Sequence, residues 1–273
     1  MWEKKEVLVT VTAYPETCRK YGACVCAAGI TREGEWIRMY PIPFEYFRRP
    51  YNERFHKYDW IEVECQNNSR NEKLQRKESY KIRYKTIRVI DSSLRYPKPD
   101  WDKRNKIILS KLNTSLEELK ERFKEDRTSI GLIKPKEVTD FYQSYDLTEE
   151  ETQIQKNVQM TLFGQRKTNL EVLPHVFRYK FTCYGENCNG HDITCEDWEL
   201  LQSYRSWRQK YEKEELWNKL YEKYYKYFTT ERDLYFYVGM YSQQPTWLII
   251  GLYYPPKKKG VTATTTTTIE NFI

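Results

Sequence analysis

The sequence predicts an α+β protein in two parts: a small β-barrel at the N-terminal end, followed by an α+β module braced by zinc. Three observations predict this fold class. Short β-branched and aromatic runs separated by turn residues dominate residues 1–111. A clear amphipathic helical pattern appears only after residue 112. Four side chains that could bind zinc then lie between residues 183 and 195.

The N-terminal region contains five predicted strands. They cover residues 6–13, 24–30, 35–40, 57–65 and 79–90. Glu33 and Gly34 form a turn between the second and third strands, so these two are expected to pair as a hairpin. Several short strands joined by turns are typical of a small barrel or a sandwich.

The second half mixes helices and strands. Ser115 and Glu118 form a capping box for a helix over residues 113–124, and Thr194 with Asp197 forms a second box for a helical tract over 197–228. The predicted strands cover residues 130–135, 138–145, 157–164, 175–183, 233–239 and 246–255. We therefore divide the chain into a barrel-like domain (1–111), a connector (112–165), a zinc-binding α+β module (166–256) and a flexible tail (257–273).

The predicted metal site has four ligands: Cys183, Cys188, His191 and Cys195. Thiolate and imidazole bind zinc tightly, and four protein ligands close its shell, which is typical of a structural site. One helical turn would aim His191 and Cys195 at the same point. His175 is the alternative fourth ligand if Cys195 faces the core, and buried cysteines without a metal are the alternative to the site itself.

The positive charge is concentrated in the first part of the chain. Residues 1–111 hold 24 Lys and Arg against 15 Asp and Glu, a net +9, whereas the whole chain has a net +7 and the remainder therefore −2. This asymmetry predicts that the N-terminal region binds a polyanion. An ordinary solubilising surface is the alternative.

One basic strand is the best candidate for that contact. If residues 80–88 form a strand, Lys81, Arg83 and Lys85 share one face. Lys77 and Arg88 lie in the same basic segment, and tyrosines alternate with the three cations of the row. Such a strip is typical of binding to the phosphate backbone of DNA or RNA, although basic edge strands also protect sheets against aggregation.

A short resemblance points the same way. Cys24-Val25-Cys26, Ala28-Gly29-Ile30 and Trp36-Ile37-Arg38 resemble the opening hairpin of OB-type and PUA-like barrels, in particular bacterial dual-OB proteins linked to nucleic-acid modification. The resemblance covers residues 7–65. It departs from that family where Met39 and Tyr40 precede Pro41, which puts the register of the next strand in doubt.

The resemblance implies a barrel whose surface binds nucleic acid. Trp36 would supply a stacking plane and Arg38 a phosphate contact; a core tryptophan and a salt-bridged arginine are the alternative. It also implies an accessory or recognition protein of a bacterial nucleic-acid processing or defence system.

Two other functions are open at this stage. Asp59, Glu62 and Glu64 could hold Mg²⁺ in a nuclease, and an aromatic tract around Trp198, Trp207, Trp217 and Tyr224 could bind a partner protein. The chain contains no GxSxG, Walker, GxGxxG or HExxH motif, so binding is favoured over catalysis.

The sequence also predicts the compartment. It contains no run of roughly 20 apolar residues and no signal-peptide pattern, so we expect a cytoplasmic protein without a membrane partner. Cysteines outside the zinc loop are then expected to be free thiols: Cys18, Cys24, Cys26 and Cys65.

Overall fold

The computed structural model describes residues 1–18, 20–71, 73–144, 173, 175–241 and 245–257. The predicted strand at 157–164 and the tail beyond residue 257 lie outside these ranges. None of the helices within them is both long enough and apolar enough to cross a membrane.

The chain forms fourteen described strands and several helices. The strands are β1 (Glu3–Thr12), β2 (Glu16–Cys18), β3 (Gly22–Thr31), β4 (Trp36–Pro43), β5 (Trp60–Asn67), β6 (Ser79–Ile82), β7 (Arg88–Asp91), β8 (Leu112–Asn113), β9 (Ile130–Ile133), β10 (Glu137–Ser144), β11 (Val176–Thr182), β12 (His191–Cys195), β13 (Tyr235–Met240) and β14 (Trp247–Tyr253). The α-helices are α1 (Phe44–Phe47), α2 (Trp101–Ile108), α3 (Leu116–Asp126), α4 (Trp198–Trp207), α5 (Lys213–Tyr221) and α6 (Phe228–Thr230), with a π-helical segment (Glu222–Tyr227) between the last two.

The N-terminal strands close into a five-stranded mixed barrel. The order is β1-β3-β4-β6-β5, and β5 pairs back onto β1. Only the β4–β6 pair is parallel among the barrel contacts. Residues of alternate positions, such as Val7, Val9 and Ile61, fill the interior. The predicted small barrel is therefore confirmed; β2 pairs with β3 and β7 pairs with β5 outside the closed ring.

The C-terminal half forms a seven-stranded sheet in the order β10-β11-β12-β14-β13-β9-β8. Helices α3, α4 and α5 contribute to a core against this sheet, with Leu119, Leu200 and Leu220 at 0% exposure. The segment predicted as a connector supplies β8, α3, β9 and β10 up to Ser144, so its described part belongs to this sheet.

The two halves share a core. Leu8, Trp60 and Ile108 from the first half pack in one cluster with Leu132, Tyr237 and other residues of the second. Because β1 is covered by the barrel interior on one face and by the second sheet on the other, Val7 through Val11 are all buried. This double burial explains why β1 is a continuous β-branched run rather than an alternating one.

Buried polar contacts also join the halves. Arg38 Nη2 donates to the Ser129 carbonyl at 2.6 Å. Glu78 accepts from the Ser129 amide and from its hydroxyl, each at 2.9 Å. Lys57 donates to the Leu252 carbonyl at 2.8 Å. These groups are satisfied only while the barrel and the second sheet are together.

The cysteines of the barrel differ from the prediction in one pair. Cys18 and Cys24 form a disulfide between β2 and β3, whereas both were expected to be free thiols. The two residues lie near each other because β2 pairs with β3 immediately after the turn at Gly22. Within the described residues, Cys26 and Cys65 are thiols outside any disulfide, as predicted.

Candidate metal centre and the predicted nucleic-acid surface

Among the described residues, one group of side chains could hold a metal ion: Glu117, Cys183, Cys188 and His191. Their four ligand atoms lie within 4.8 Å of one another. His191 Nε2 is 3.3 Å from Cys188 Sγ and 3.3 Å from Glu117 Oε1. A tetrahedral zinc ion with sulfur, nitrogen and oxygen ligands requires ligand separations of roughly 3.3–3.8 Å, so these two distances fit.

The four ligands come from three elements. Cys183 directly follows β11, Cys188 lies in the loop, and His191 begins β12, so the β11–β12 hairpin brings three of them together. Glu117 belongs to the first turn of α3. The loop approaches this helix closely, since a Cβ atom on Gly185 would lie 3.0 Å from Ser115 Cβ. A larger residue at this position would push the loop away from Glu117.

The site contains the buried Cys183 thiol and one buried carboxylate oxygen without a hydrogen-bond partner in the described part of the chain. Burial raises the pKa of the Cys183 thiol to about 12, although the backbone N–H of Leu116 donates to it and opposes that shift. The Cys183 amide in turn donates to Cys188 Sγ at 3.1 Å. Glu117 Oε2 is buried and has no hydrogen-bond partner among the described residues. A divalent cation would satisfy this oxygen and stabilise both thiolates.

Cys195 is not part of the group, and the prediction that it is the fourth ligand is wrong. It is 1% exposed in the core of the second half. The prediction assumed a helix from His191 to Cys195, but these residues form β12. Four residues along a strand span about 13 Å, against about 6 Å along a helix, so the two side chains cannot share an ion.

The alternative ligand, His175, also lies elsewhere. Its ring packs 4.6 Å from Tyr204 and 5.1 Å from Phe177, measured between ring centroids. The candidate ligand that sequence reasoning missed is Glu117, which precedes Cys183 by 66 positions. Its only sequence signal is its place beside the Ser115–Glu118 capping box, and acidic residues are common in first helical turns without any metal.

The predicted basic strand over residues 80–88 is interrupted. β6 ends at Ile82, a 3₁₀ turn covers Tyr84–Thr86, and β7 begins at Arg88. Lys81, Arg83 and Lys85 therefore do not form one row on one strand face, and that prediction is wrong. Thr86 explains the turn locally, because its hydroxyl donates to the Arg83 carbonyl at 2.7 Å and accepts from the Glu64 amide at 3.0 Å.

Some of the predicted cations have acidic partners. Lys77 pairs with Asp126. Arg83 lies 2.7 Å from Glu64, and Arg88 lies 2.6 Å from Glu62. Lys81 and Lys85 are exposed, and neither has an ion-pair partner in the part of the chain that the structure describes. Arg83 also stacks on Trp2, with its guanidinium carbon 4.3 Å from the ring centroid.

Arg38 faces the second half rather than solvent, and Trp36 is half-buried against that half. Arg38 is only 4% exposed, and the Trp36 ring meets Tyr237 edge-on with centroids 6.2 Å apart. The prediction that Arg38 presents a phosphate contact is therefore wrong. Trp36 is half-buried, so β13 and its neighbours leave only part of its ring open.

Asp59, Glu62 and Glu64, the three carboxylates considered for a nuclease site, each form an ion pair with a basic side chain. Asp59 is fully buried and accepts from Arg95 Nε at 2.9 Å. Glu62 pairs with Arg88 and Lys4, and Glu64 pairs with Arg83. Among the described residues, these three do not form a group able to hold a metal ion.

The aromatic tract that was considered as a binding surface for a partner protein packs against other parts of this chain. Trp198 contacts Phe44 and Phe47 of the first half, with ring centroids 6.2 and 5.5 Å apart. Tyr224 is 1% exposed, and Trp207 and Trp217 pack against the second core. The tract divides into α4 and α5, and the π-helical segment and α6 follow α5. Asp197, rather than Thr194, is the N-cap of α4, accepting from the Leu200 amide at 2.9 Å.

Two families of known proteins match the chain. A domain of unknown function, DUF8758, matches residues 3–110, and a second, DUF8757, matches residues 112–271. No curated protein matches it at a significant level. The second match covers more than half of the chain, and the chain therefore belongs to the DUF8757 family.

Proposed function

We propose that the protein is a nucleic-acid-binding protein of an accessory or recognition kind, braced by a structural zinc ion. The zinc ion would be held by Glu117, Cys183, Cys188 and His191. The nucleic acid would be bound by the barrel through its phosphate backbone.

The donor set supports the zinc assignment. Two thiolates and one imidazole are borderline-soft ligands that suit zinc better than magnesium or calcium, and Glu117 completes four. Four protein ligands leave no position for water, so the ion would stabilise the fold rather than catalyse a reaction. It would join α3 to the β11–β12 hairpin.

Metal analysis of the purified protein tests this assignment. We expect one zinc ion per chain in the wild type, and a loss of bound zinc in Cys183→Ala. Glu117→Gln should weaken zinc affinity, because it removes the charge of one ligand. Cys195→Ala is the matched control and should keep its zinc. Full zinc occupancy in Cys183→Ala, or loss of zinc in Cys195→Ala with the fold intact, would contradict the proposed ligands.

The two exposed lysines of the barrel carry the nucleic-acid proposal. Lys81 and Lys85 flank Arg83, and no described carboxylate pairs with either of them. Arg83 and Arg88 are exposed partners of surface ion pairs, which contribute only about 0–1 kcal/mol each and can be exchanged for phosphate. The net charge of +9 over residues 1–111 favours the approach of a polyanion to this half.

Charge reversal tests the surface. Lys81→Glu/Lys85→Glu should weaken binding to a labelled oligonucleotide by about tenfold or more, if each contact contributes on the order of 1 kcal/mol. Lys124→Glu/Lys226→Glu changes the net charge equally on the other half, at side chains 69% and 55% exposed. That control should weaken binding much less. Equal losses in the two variants would show that only net charge matters.

The wider role follows from the resemblance of residues 7–65 to bacterial dual-OB proteins. It supports an accessory component of a nucleic-acid processing or defence system. Co-purification of nucleic acid with the tagged protein from a bacterial host, sensitive to the Lys81 and Lys85 substitutions, is the measurement that checks this role.

A further inference from the structure

Two tyrosines beside the barrel are unusually exposed. Tyr51 begins the 3₁₀ turn Tyr51–Glu53 and is 61% exposed, and Tyr96 follows β7 and is 69% exposed. They are the two most exposed of the large aromatic side chains that the structure describes. A single exposed aromatic residue needs no explanation. Arg95 Nη1 donates to the Tyr51 hydroxyl at 2.7 Å, and Tyr96 is the next residue in the chain, so the two tyrosines lie in the same region of the surface.

Buried Asp59 organises this cluster. It accepts from Arg95 Nε at 2.9 Å and from the His56 amide at 2.8 Å. The His56 ring lies against Tyr51, with centroids 3.8 Å apart, and its Nε2 bonds the Tyr51 carbonyl at 2.9 Å. The Tyr51 ring is therefore held in place while most of its surface remains open. Holding a contact residue in its bound arrangement lowers the entropic cost of binding.

The surroundings of Tyr51 and His56 are basic. Burial lowers the pKa of His56, and the charges of Arg54 and Arg95 lower it further, whereas Asp59 opposes them. Arg54 Nε has no hydrogen-bond partner among the described residues. Arg49 is exposed and lies over the Tyr46 ring, 5.0 Å from its centroid. The cluster thus combines aromatic faces with the exposed guanidinium of Arg49 and the half-buried one of Arg54. The Arg95 guanidinium is already engaged by Asp59 and by the Tyr51 hydroxyl.

We propose that Tyr51 and Tyr96, with Arg49 and Arg54, form a contact surface for unpaired bases of single-stranded nucleic acid. The inference rests on the proposed function and specifies the form of the ligand. Open tyrosine rings stack on bases of any sequence, and nearby arginines bind the adjoining phosphates. In a duplex the base faces are covered by neighbouring bases, so these rings would have nothing to stack on.

A comparison of single-stranded and duplex ligands tests the inference. The full chain is titrated against a fluorescein-labelled 20-nucleotide DNA strand and against the duplex of that strand, with anisotropy as the readout. We expect Tyr51→Ala/Tyr96→Ala to weaken single-strand binding about tenfold or more, since stacking on even one base is worth that much. Duplex binding should change less than about twofold, because no charge is removed.

Two control variants accompany this titration. Tyr184→Ala/Tyr227→Ala removes exposed tyrosines from the other half, where they are 57% and 40% exposed, and should leave both affinities unchanged. Tyr51→Phe/Tyr96→Phe keeps the rings and should retain most single-strand affinity. Thermal unfolding of each variant shows whether it is folded.

The outcomes separate the two proposals. Wild-type single-strand affinity in Tyr51→Ala/Tyr96→Ala, or an equal loss for strand and duplex, overturns the stacking surface alone. Absence of any nucleic-acid binding by the wild-type protein overturns the proposed function, and the stacking surface with it.

Discussion

At the residue scale, the candidate metal centre depends on the positions of four ligand atoms, those of Glu117, Cys183, Cys188 and His191. Sequence spacing found Cys183, Cys188 and His191, because a hairpin keeps residues that are close in the chain close in space. It failed for the fourth ligand because spacing has meaning only within a known secondary structure. On a helix, Cys195 would have lain close enough to His191 to bind the same ion, but on the strand β12 it does not. Glu117 could not be found by spacing, since tertiary packing alone brings α3 to the hairpin.

His175 gives a prediction about pH. Burial, with a smaller contribution from the charge of Lys213, lowers its pKa to about 4 from an ordinary 6.5. Between these values the unfolded chain binds more protons than the folded chain, so the free energy of unfolding decreases as pH falls through this window. From pH 7 to pH 5 we expect this residue to contribute a loss of up to about 2 kcal/mol.

Urea unfolding at both pH values checks this expectation in the wild type and in His175→Phe. Burial also lowers the pKa of His56 and of His191, so the variant should retain part of the pH dependence and lose the part due to His175. An identical pH dependence in the two proteins would show that His175 is not held neutral by the fold.

At the element scale, α3 links the metal centre to the barrel. Its first turn contributes Glu117 and the Leu116 amide, and Asp126 in its last turn pairs with Lys77. Its start was predictable from the spacing of Ser115 and Glu118, which is typical of a capping box. In the structure Ser115 Oγ accepts from the Glu118 amide at 3.1 Å. The break between β6 and β7 was not predictable from alternation, since alternating residues continue through the 3₁₀ turn.

Removal of the α3 cap should affect both stability and metal binding. Ser115→Ala should cost about 1 kcal/mol of unfolding free energy, as for other N-caps, and should also weaken zinc affinity, because Leu116 and Glu117 lie in the turn that it orders. Asp100→Ala is the matched control: Asp100 caps α2, where it accepts from the Lys103 amide at 3.0 Å. It should destabilise similarly and leave zinc affinity unchanged.

Competition with a chromophoric zinc chelator, together with urea unfolding, measures both quantities for the two cap variants. If Ser115→Ala binds zinc as tightly as Asp100→Ala does, the first turn of α3 does not hold the metal, and Glu117 is not a ligand.

At the scale of the whole molecule, the barrel and the second sheet fold against each other. The strand pattern predicted the barrel, and the helical periodicity predicted α3 and the later helices. Neither pattern could predict that the outer face of the β3–β4 hairpin is partly covered, because a buried face and a stacking surface use the same aromatic residues. Trp36 is the clearest instance, and its interpretation depended on a neighbour, Tyr237, 201 positions away.

The shared core predicts that the halves are not stable alone. A fragment of residues 1–111 would expose Leu8, Trp60 and Ile108, which are now buried. Exposing each such side chain costs about 1.5–3 kcal/mol, so a few of them equal the whole stability of a typical domain. We expect this fragment to be unfolded or aggregated, whereas the full chain unfolds in one transition. Circular dichroism melts check this, and a fragment as stable as the full chain would contradict the shared core.

The binding of nucleic acid by the basic half is the central claim for the whole molecule. It is tested most directly by the salt dependence of affinity for a 20-nucleotide single strand, measured by anisotropy with the zinc-loaded full chain. We predict that log K falls linearly with log salt, with a slope of about −2 to −4, corresponding to roughly three to five phosphate contacts. No binding at low salt, or an affinity that does not change with salt, would contradict the claim.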